Sequence, residues 1–201
     1  MKNKQVELYK KVYNNKEYGN TSIKNLRYLL PQIKKLSPKT LLDYGCGRSK
    51  LADRLEKSLD LVIYKYDPAI NEFSNKPNVS VDLLINIDVL EHIPVTELDA
   101  FLTEMSSLSK DAIIVIDTKL AETILENGEN AHCTIKSKKE WRLILSKYYD
   151  YIEPIKVTRN SRAAFRTWKL TRLEKVKVVF DTFIQVICYH TRKLFSNVSL
   201  L

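Results

Sequence analysis

Leu41-Leu42-Asp43-Tyr44-Gly45-Cys46-Gly47-Arg48 is the stretch on which the reading of this chain turns. An apolar pair runs into Asp-x-Gly-x-Gly, and a helix-like segment comes at once after it. Glycines at a strand-to-helix turn let the backbone approach a ligand where a Cβ would collide. Two glycines in a turn are common, so the weight lies in the downstream segments. Asp67 ends a second apolar run, Leu61 to Tyr66, and stands 24 residues after Asp43. Nucleotide-binding α/β folds place an acidic residue near that distance to grip ribose hydroxyls. A third run, Leu83 to Ile87, leads into Asp88-Val89-Leu90-Glu91-His92-Ile93-Pro94.

Apolar spacing predicts the elements around these runs. A short helix is expected over Gln5 to Tyr13 and a turn at Tyr18-Gly19-Asn20. Ser22 reads as the N-cap of a helix carrying Ile23, Leu26, Leu30 and Ile33, with Pro31 kinking it or starting a new turn. Strands are expected at Thr40 to Tyr44, Leu61 to Tyr66, Asp82 to Ile87 and Ala112 to Ile116, with a very short one inside Asn75 to Val81. Helices fall at Ser49 to Ser58, Glu97 to Leu108 and Lys138 to Tyr148. Tyr151 to Val157 and Ala163 to Leu170 flank Arg159-Asn160-Ser161 and read as an antiparallel hairpin. The βαβαβ order argues for a parallel core, the hairpin for one antiparallel edge.

Together these segments resemble class I S-adenosylmethionine-dependent methyltransferases, over roughly Thr40 to Leu170. The run after the fourth strand is similar to the branch carrying Asp/Glu-Val-Leu-Glu-His. The resemblance implies a doubly wound, mostly parallel, seven-stranded Rossmann-like α/β sheet with an antiparallel edge hairpin. It places a methyltransferase domain at 1–170, with an N-terminal helical cap over about 1–37, and leaves 171–201 as an extra C-terminal helix. It also implies that S-adenosyl-L-methionine is the cofactor. Tyr44, Gly45 and Gly47 would form the turn against its methionine and ribose portions. Asp43 would orient the methionine ammonium, directly or through water, and Asp67 would accept hydrogen bonds from both ribose hydroxyls. Pro68 would shape the adenine side, and Ile87 and Asp88 would contact the methionine part. Ser49 stands where many members have a third glycine, and no acidic residue ends the third strand to hold the adenine amino group.

Glu91, His92 and His132 are the candidate catalytic residues. If a helix begins near Asp88, then Asp88, Glu91 and His92 share one face. His132 lies in a polar loop after the fifth strand, and such loops gather at the same carboxyl-end crevice. This arrangement resembles the ubiquinone-pathway O-methyltransferases and the small-RNA 3′-end 2′-O-methyltransferases. The latter add a downstream histidine and hold a divalent metal, Mg²⁺ or Mn²⁺ here, that activates a hydroxyl. Two other readings stay open. His132 is a metal-free general base, since a neutral imidazole suits removal of a hydroxyl proton. Alternatively, Glu91 and His92 only cap and support the cofactor loop, and His132 is structural or touches substrate. Cys46 has no general base near it and reads as a packed residue.

The 201 residues suit one domain, and three widely spaced cysteines suggest a reducing compartment without a disulfide framework. Met1-Lys2-Asn3-Lys4 leads into a polar stretch with no apolar signal region, so a cytoplasmic protein is expected. The net charge of +9 is unevenly placed. Residues 155–201 hold 10 Lys+Arg against 2 Asp+Glu, whereas residues 1–154 hold 23 against 22. A near-neutral body favours O-methylation of a small-molecule or glycan hydroxyl over a long nucleic acid. RNA 3′-end methylation is the second reading, and a non-catalytic interaction protein of the same fold the third. The tail, with apolar residues at helical spacing beside its excess charge, reads as a contact with a peripheral membrane surface, a homo-oligomer or its own domain.

Overall fold

Alternation within the strands explains the layers. β1 (Thr40–Tyr44), β3 (Leu83–Ile87) and β4 (Ala112–Asp117) are apolar at nearly every position. Successive side chains leave opposite faces of a strand, so such runs need cover on both sides. Leu42, Tyr44, Leu84, Ile114 and Ile116 pack with Leu98, Leu102 and Met105 of α4 (Val95–Leu108) and with Trp141 and Leu145 of α5 (Lys138–Leu145). Leu41, Leu83, Ile85, Ile113 and Val115 pack on the other face. Their partners are Leu29, Leu30 and Ile33 of α2 (Leu26–Leu36), Leu51 and Leu55 of α3 (Leu51–Glu56), and Val178 of α6 (Arg172–Val198). This computed structural model describes residues 3–15 and 22–198, with side chains placed for 5–13 and 22–191. The expected turn at Tyr18-Gly19-Asn20 lies outside the described residues.

With β2 (Val62–Tyr66), β5 (Glu153–Pro154) and β6 (Arg162–Arg166), the sheet runs in the order β2-β1-β3-β4-β6-β5. The first four strands pair in parallel, and β6 and β5 close the edge antiparallel. The chain steps outward from β1 to β2, then returns to the far side of β1 for β3. At such a reversal the carboxyl ends of the two inner strands part and open a crevice for ligands.

The α/β class is as expected, but the sheet has six strands rather than seven. Segment 75–81 forms no ladder beside β2. Pro77 removes one donor, and the Val81 N–H goes to the Leu108 carbonyl (3.0 Å), away from the β2 edge. The hairpin is also shorter than expected: its edge strand is only Glu153–Pro154, followed by one further bond from the Ile155 N–H to the Ala164 carbonyl at 2.9 Å. Ser22 is not the N-cap of α2. It opens a short 3-10 turn, Ser22–Asn25, and its hydroxyl meets that of Ser49 at 2.6 Å. The helix then runs through Pro31. Ahead of it, α1 (Asn3–Asn15) lays Tyr9 and Val6 on Leu125 and Ala131 of the loop after β4.

Arg166 ties the antiparallel edge to α2. It is almost fully buried, and its guanidinium meets Glu153 Oε2 at 2.6 Å, Gln32 Oε1 at 2.6 Å and the Trp168 carbonyl at 3.2 Å. Lys175 of α6 reaches the other Glu153 oxygen at 2.7 Å. Burial works against ionisation of Glu153, but the bonds from Lys175, Tyr151 and Arg166 prevail and hold its pKa down at about 2. A group with a depressed folded pKa stabilises the fold above its unfolded value and loses that contribution as pH falls through the folded one. Glu153→Gln should therefore destabilise the protein at neutral pH by about 1–3 kcal/mol. The gap to wild type, measured by thermal unfolding, should close as pH falls from 4.5 towards 2; a gap independent of pH would mean that charge is not the cause.

Candidate functional site

The turn after β1 carries left-handed backbone at Gly45 (φ 85°) and Gly47 (φ 51°). A Cβ on Gly45 would lie 2.5 Å from a Val89 methyl, and one on Gly47 would lie 3.0 Å from the Tyr13 hydroxyl. The N–H groups of Gly45 and Cys46 both donate to the Tyr66 carbonyl at the end of β2. Asp67, the next residue, completes the clasp. One of its oxygens accepts from the Gly47 N–H at 2.9 Å and from the Tyr13 hydroxyl at 3.3 Å; the other accepts from the Ala69 N–H at 2.8 Å. Burial raises the Asp67 pKa against these bonds. Asp43 is buried directly behind the turn, and its Oδ2 meets no hydrogen-bond partner. Burial lifts its pKa to about 7, with Lys65 opposing. Burial likewise raises the Cys46 thiol, in keeping with a packed role.

A crevice of about 620 Å³ opens between this turn and the end of β3, lined by Gly45, Gly47, Ile87, Asp88, Glu91 and His132. A smaller one lies beneath, among Tyr44, Asp67, Pro68, His92 and Phe101. Tyr13 borders both. The Tyr44 hydroxyl donates to Glu104 and its ring packs on Tyr66 and Phe101, so its side chain faces the core and only its backbone belongs to the turn.

Beyond β3 the expected helix does not form. Asp88 is left-handed (φ 58°), a single 3-10 turn covers Leu90–His92, and α4 waits until Pro94 has passed. Asp88 therefore does not share a helical face with Glu91 and His92. Its carboxylate pairs instead with Arg162 at 2.6 Å.

Glu91 is completely buried. Its Oε1 accepts from the Asp117 N–H at 3.0 Å, and Oε2 has no hydrogen-bond partner. Burial, then Asp88, raises its pKa well above the ordinary carboxylate range. The His92 Nδ1 sits 2.8 Å from the Ala131 carbonyl and 2.7 Å from the Tyr9 hydroxyl. The His132 Nδ1 meets the Lys119 carbonyl. A carbonyl only accepts, so the His132 ring carries a proton on Nδ1 and, when neutral, keeps its lone pair on Nε2, whereas the His92 ring bonds the Asp88 backbone as well as the Ala131 carbonyl. Burial lowers the His92 pKa to about 4, which keeps that ring neutral near pH 7. The two rings stand edge to face at 4.8 Å. One carboxylate oxygen of Glu91 and one nitrogen from each ring lie within 4.8 Å of one another.

This set fits a divalent cation. It offers an otherwise unpaired buried carboxylate oxygen and two imidazoles oriented by backbone carbonyls, the usual support for histidine ligands. Two nitrogens and one oxygen suit Mn²⁺ or a later transition ion better than Mg²⁺, which prefers an all-oxygen shell. The glycine turn and Asp43 fit a nucleoside-linked amino acid on similar grounds: a cradle that a Cβ would fill, and a buried acid aimed at no protein partner.

Three residues of this site were not singled out from the sequence. Tyr9 and Tyr13 read only as apolar positions of a short helix. Arg162 read as a hairpin residue, yet its side chain is 4% exposed and stands between Asp88 and Asp117. Only the antiparallel register, which sets Arg162 opposite Asp117, brings it there.

Solved structures of similar fold are distant in sequence. The methyltransferase domain of bacterial CtHen1 superposes with a TM-score of 0.55 at 17% identity, covering 75% of this chain and 100% of that one. Magnesium protoporphyrin IX methyltransferase from Synechocystis PCC 6803, with bound S-adenosylhomocysteine, gives 0.53 at 13% identity, covering 82% and 93%. The Burkholderia thailandensis 1,6-didemethyltoxoflavin-N1-methyltransferase, with its substrate and S-adenosylhomocysteine, gives 0.53 at 11% identity, covering 74% and 80%. No curated protein sequence matches the chain. The family model described as a methyltransferase domain matches residues 15–191, nearly the whole length. The chain is thus a member of the class I S-adenosylmethionine-dependent methyltransferases.

Proposed function

We propose that this methyltransferase acts on the hydroxyl oxygen of a small molecule or glycan, with a divalent ion held by Glu91, His92 and His132. The observation that carries this reading is the grouping of those three side chains, with Glu91 and His132 on the wall of the crevice that the glycine turn opens and His92 facing the smaller one beside it. When bound, S-adenosylmethionine supplies a methyl carbon on a positive sulfur, so positioning of the acceptor is most of what the protein must add. When bound, the ion supplies a charge that acidifies a hydroxyl coordinated to it.

The chain's own residues divide the remaining work. Gly45 and Gly47 leave room for the methionine and ribose portions. Asp43 meets the methionine ammonium, and an approaching cation restores the ionised form that burial disfavours. Asp67 takes the ribose hydroxyls where it now takes the Tyr13 hydroxyl. Pro68 bounds the adenine side, while Ile87 and Asp88 line the methionine end. His92 and His132 would each offer one ring nitrogen to the ion, and Glu91 would supply the anionic ligand. Lys119 and Arg159 stand at the same crevice. They favour a second acceptor class, the terminal ribose of an RNA 3′ end, whose phosphate they would meet.

Two measurements test the reading separately. In calorimetry Asp67→Ala should weaken S-adenosylmethionine binding by about 1–3 kcal/mol, the scale of losing hydrogen bonds to a charged group; undiminished affinity would remove Asp67 from the ribose role. Titration of the metal-stripped protein with Mn²⁺ should show one site that His132→Ala abolishes without changing cofactor affinity. Turnover that survives chelator, in a protein that binds no Mn²⁺, would leave His132 as a general base and refute the metal.

A further inference from the structure

α6 is held to the body by one face only. Val178 is buried in the core, Lys175 pairs with Glu153, and the Arg27 guanidinium stacks on the Tyr189 ring at 4.1 Å. The opposite face is apolar and bare. Leu173, Val176, Phe180, Phe183, Ile184 and Ile187 follow helical spacing and form one stripe, about 21 Å long at 1.5 Å per residue. Phe180 and Phe183 are 62% and 61% exposed. Nothing in the domain needs this stripe, because the packing that anchors the helix lies on its far side.

Charge decides what covers it. Lys169, Arg172 and Lys177 precede or flank the stripe, and Arg192 and Lys193 come after it in sequence. Residues 155–201 carry 10 basic against 2 acidic side chains. Pairing with a second copy would bring two such basic segments together, and like charges repel. An anionic lipid surface satisfies both halves of the pattern: the apolar side chains enter the boundary between headgroups and acyl chains, and the lysines and arginines meet the negative surface potential. No helix among the described residues is long and apolar enough to cross a membrane, which leaves a helix lying in the interface.

We propose that the outward face of α6, centred on Phe180, Phe183 and Ile187, docks the enzyme on an anionic membrane surface. Its basis is independent of the acceptor and of the metal. The test uses the full chain in vesicle sedimentation. The protein should sediment with vesicles of equal parts phosphatidylcholine and phosphatidylserine, and about tenfold less with phosphatidylcholine alone, and raised salt should release it. Phe180→Ser, Phe183→Ser and Ile187→Ser combined should lower binding at least about tenfold, each phenylalanine losing most of its buried apolar area. Cofactor affinity by calorimetry should be unchanged, which reports that the variant is folded. Lys169→Glu with Lys177→Glu provides a second variant with the apolar stripe intact, and it should also weaken binding to the anionic vesicles. Absence of vesicle binding by the wild-type chain would overturn the proposal. So would a salt-insensitive dimer in solution that the serine substitutions split, since the stripe would then be an interface between copies.

Discussion

A single carboxylate holds the centre of this molecule together. Asp67 ends β2, yet it accepts hydrogen bonds from Gly47 in the turn after β1 and from Ala69 in its own loop. The ends of two neighbouring strands, β1 and β2, are thereby joined at the rim of the sheet. The glycines make the clasp geometrically available, because the left-handed backbone at Gly45 and Gly47 turns the chain back over the strand end. Bonds between a charged acceptor and main-chain donors are about twice as strong as neutral ones. The glycine turn, which lines one wall of the crevice, is held by that arrangement.

The site is assembled from charges that the apolar core cannot tolerate alone. Asp43, Glu91 and Arg162 are buried in or beside the sheet. Arg162 is compensated by Asp88 and Asp117. Asp43 and Glu91 each keep one oxygen without a hydrogen-bond partner, and burial pushes both towards the neutral form. Burying a polar group unpaired is destabilising, by about 1–3 kcal/mol in proteins. A cationic group reaching either oxygen would relieve that cost.

Much of this was legible in the sequence. The apolar runs ending in Asp43, Asp67 and Asp88 marked three parallel strands, because side chains buried on both faces leave a continuous hydrophobic signature. Glu91, His92 and His132 were readable as a group, since loops after parallel strands meet at one end of the sheet. What escaped was set by contacts distant in sequence. Asp88 broke the expected helix through its left-handed backbone and its pairing with Arg162, 74 residues away. The missing third strand was a failure of edge pairing around Pro77, which strand propensity does not reveal. Tyr9 and Tyr13 carried no signal beyond helical spacing, and their partners lie 83 and 54 residues on.

Those two tyrosines share one helix and are a single turn apart. Tyr9 rests on His92 and on the Ala131 carbonyl, while Tyr13 rests on Asp67. α1 is thus a rigid crossbar between the nucleoside end of the crevice and the histidine end. Were Tyr13 drawn away from Asp67, the same helix would carry the strain to the contact of Tyr9 with His92, and any coupling of the two corners through it would be reciprocal in free energy.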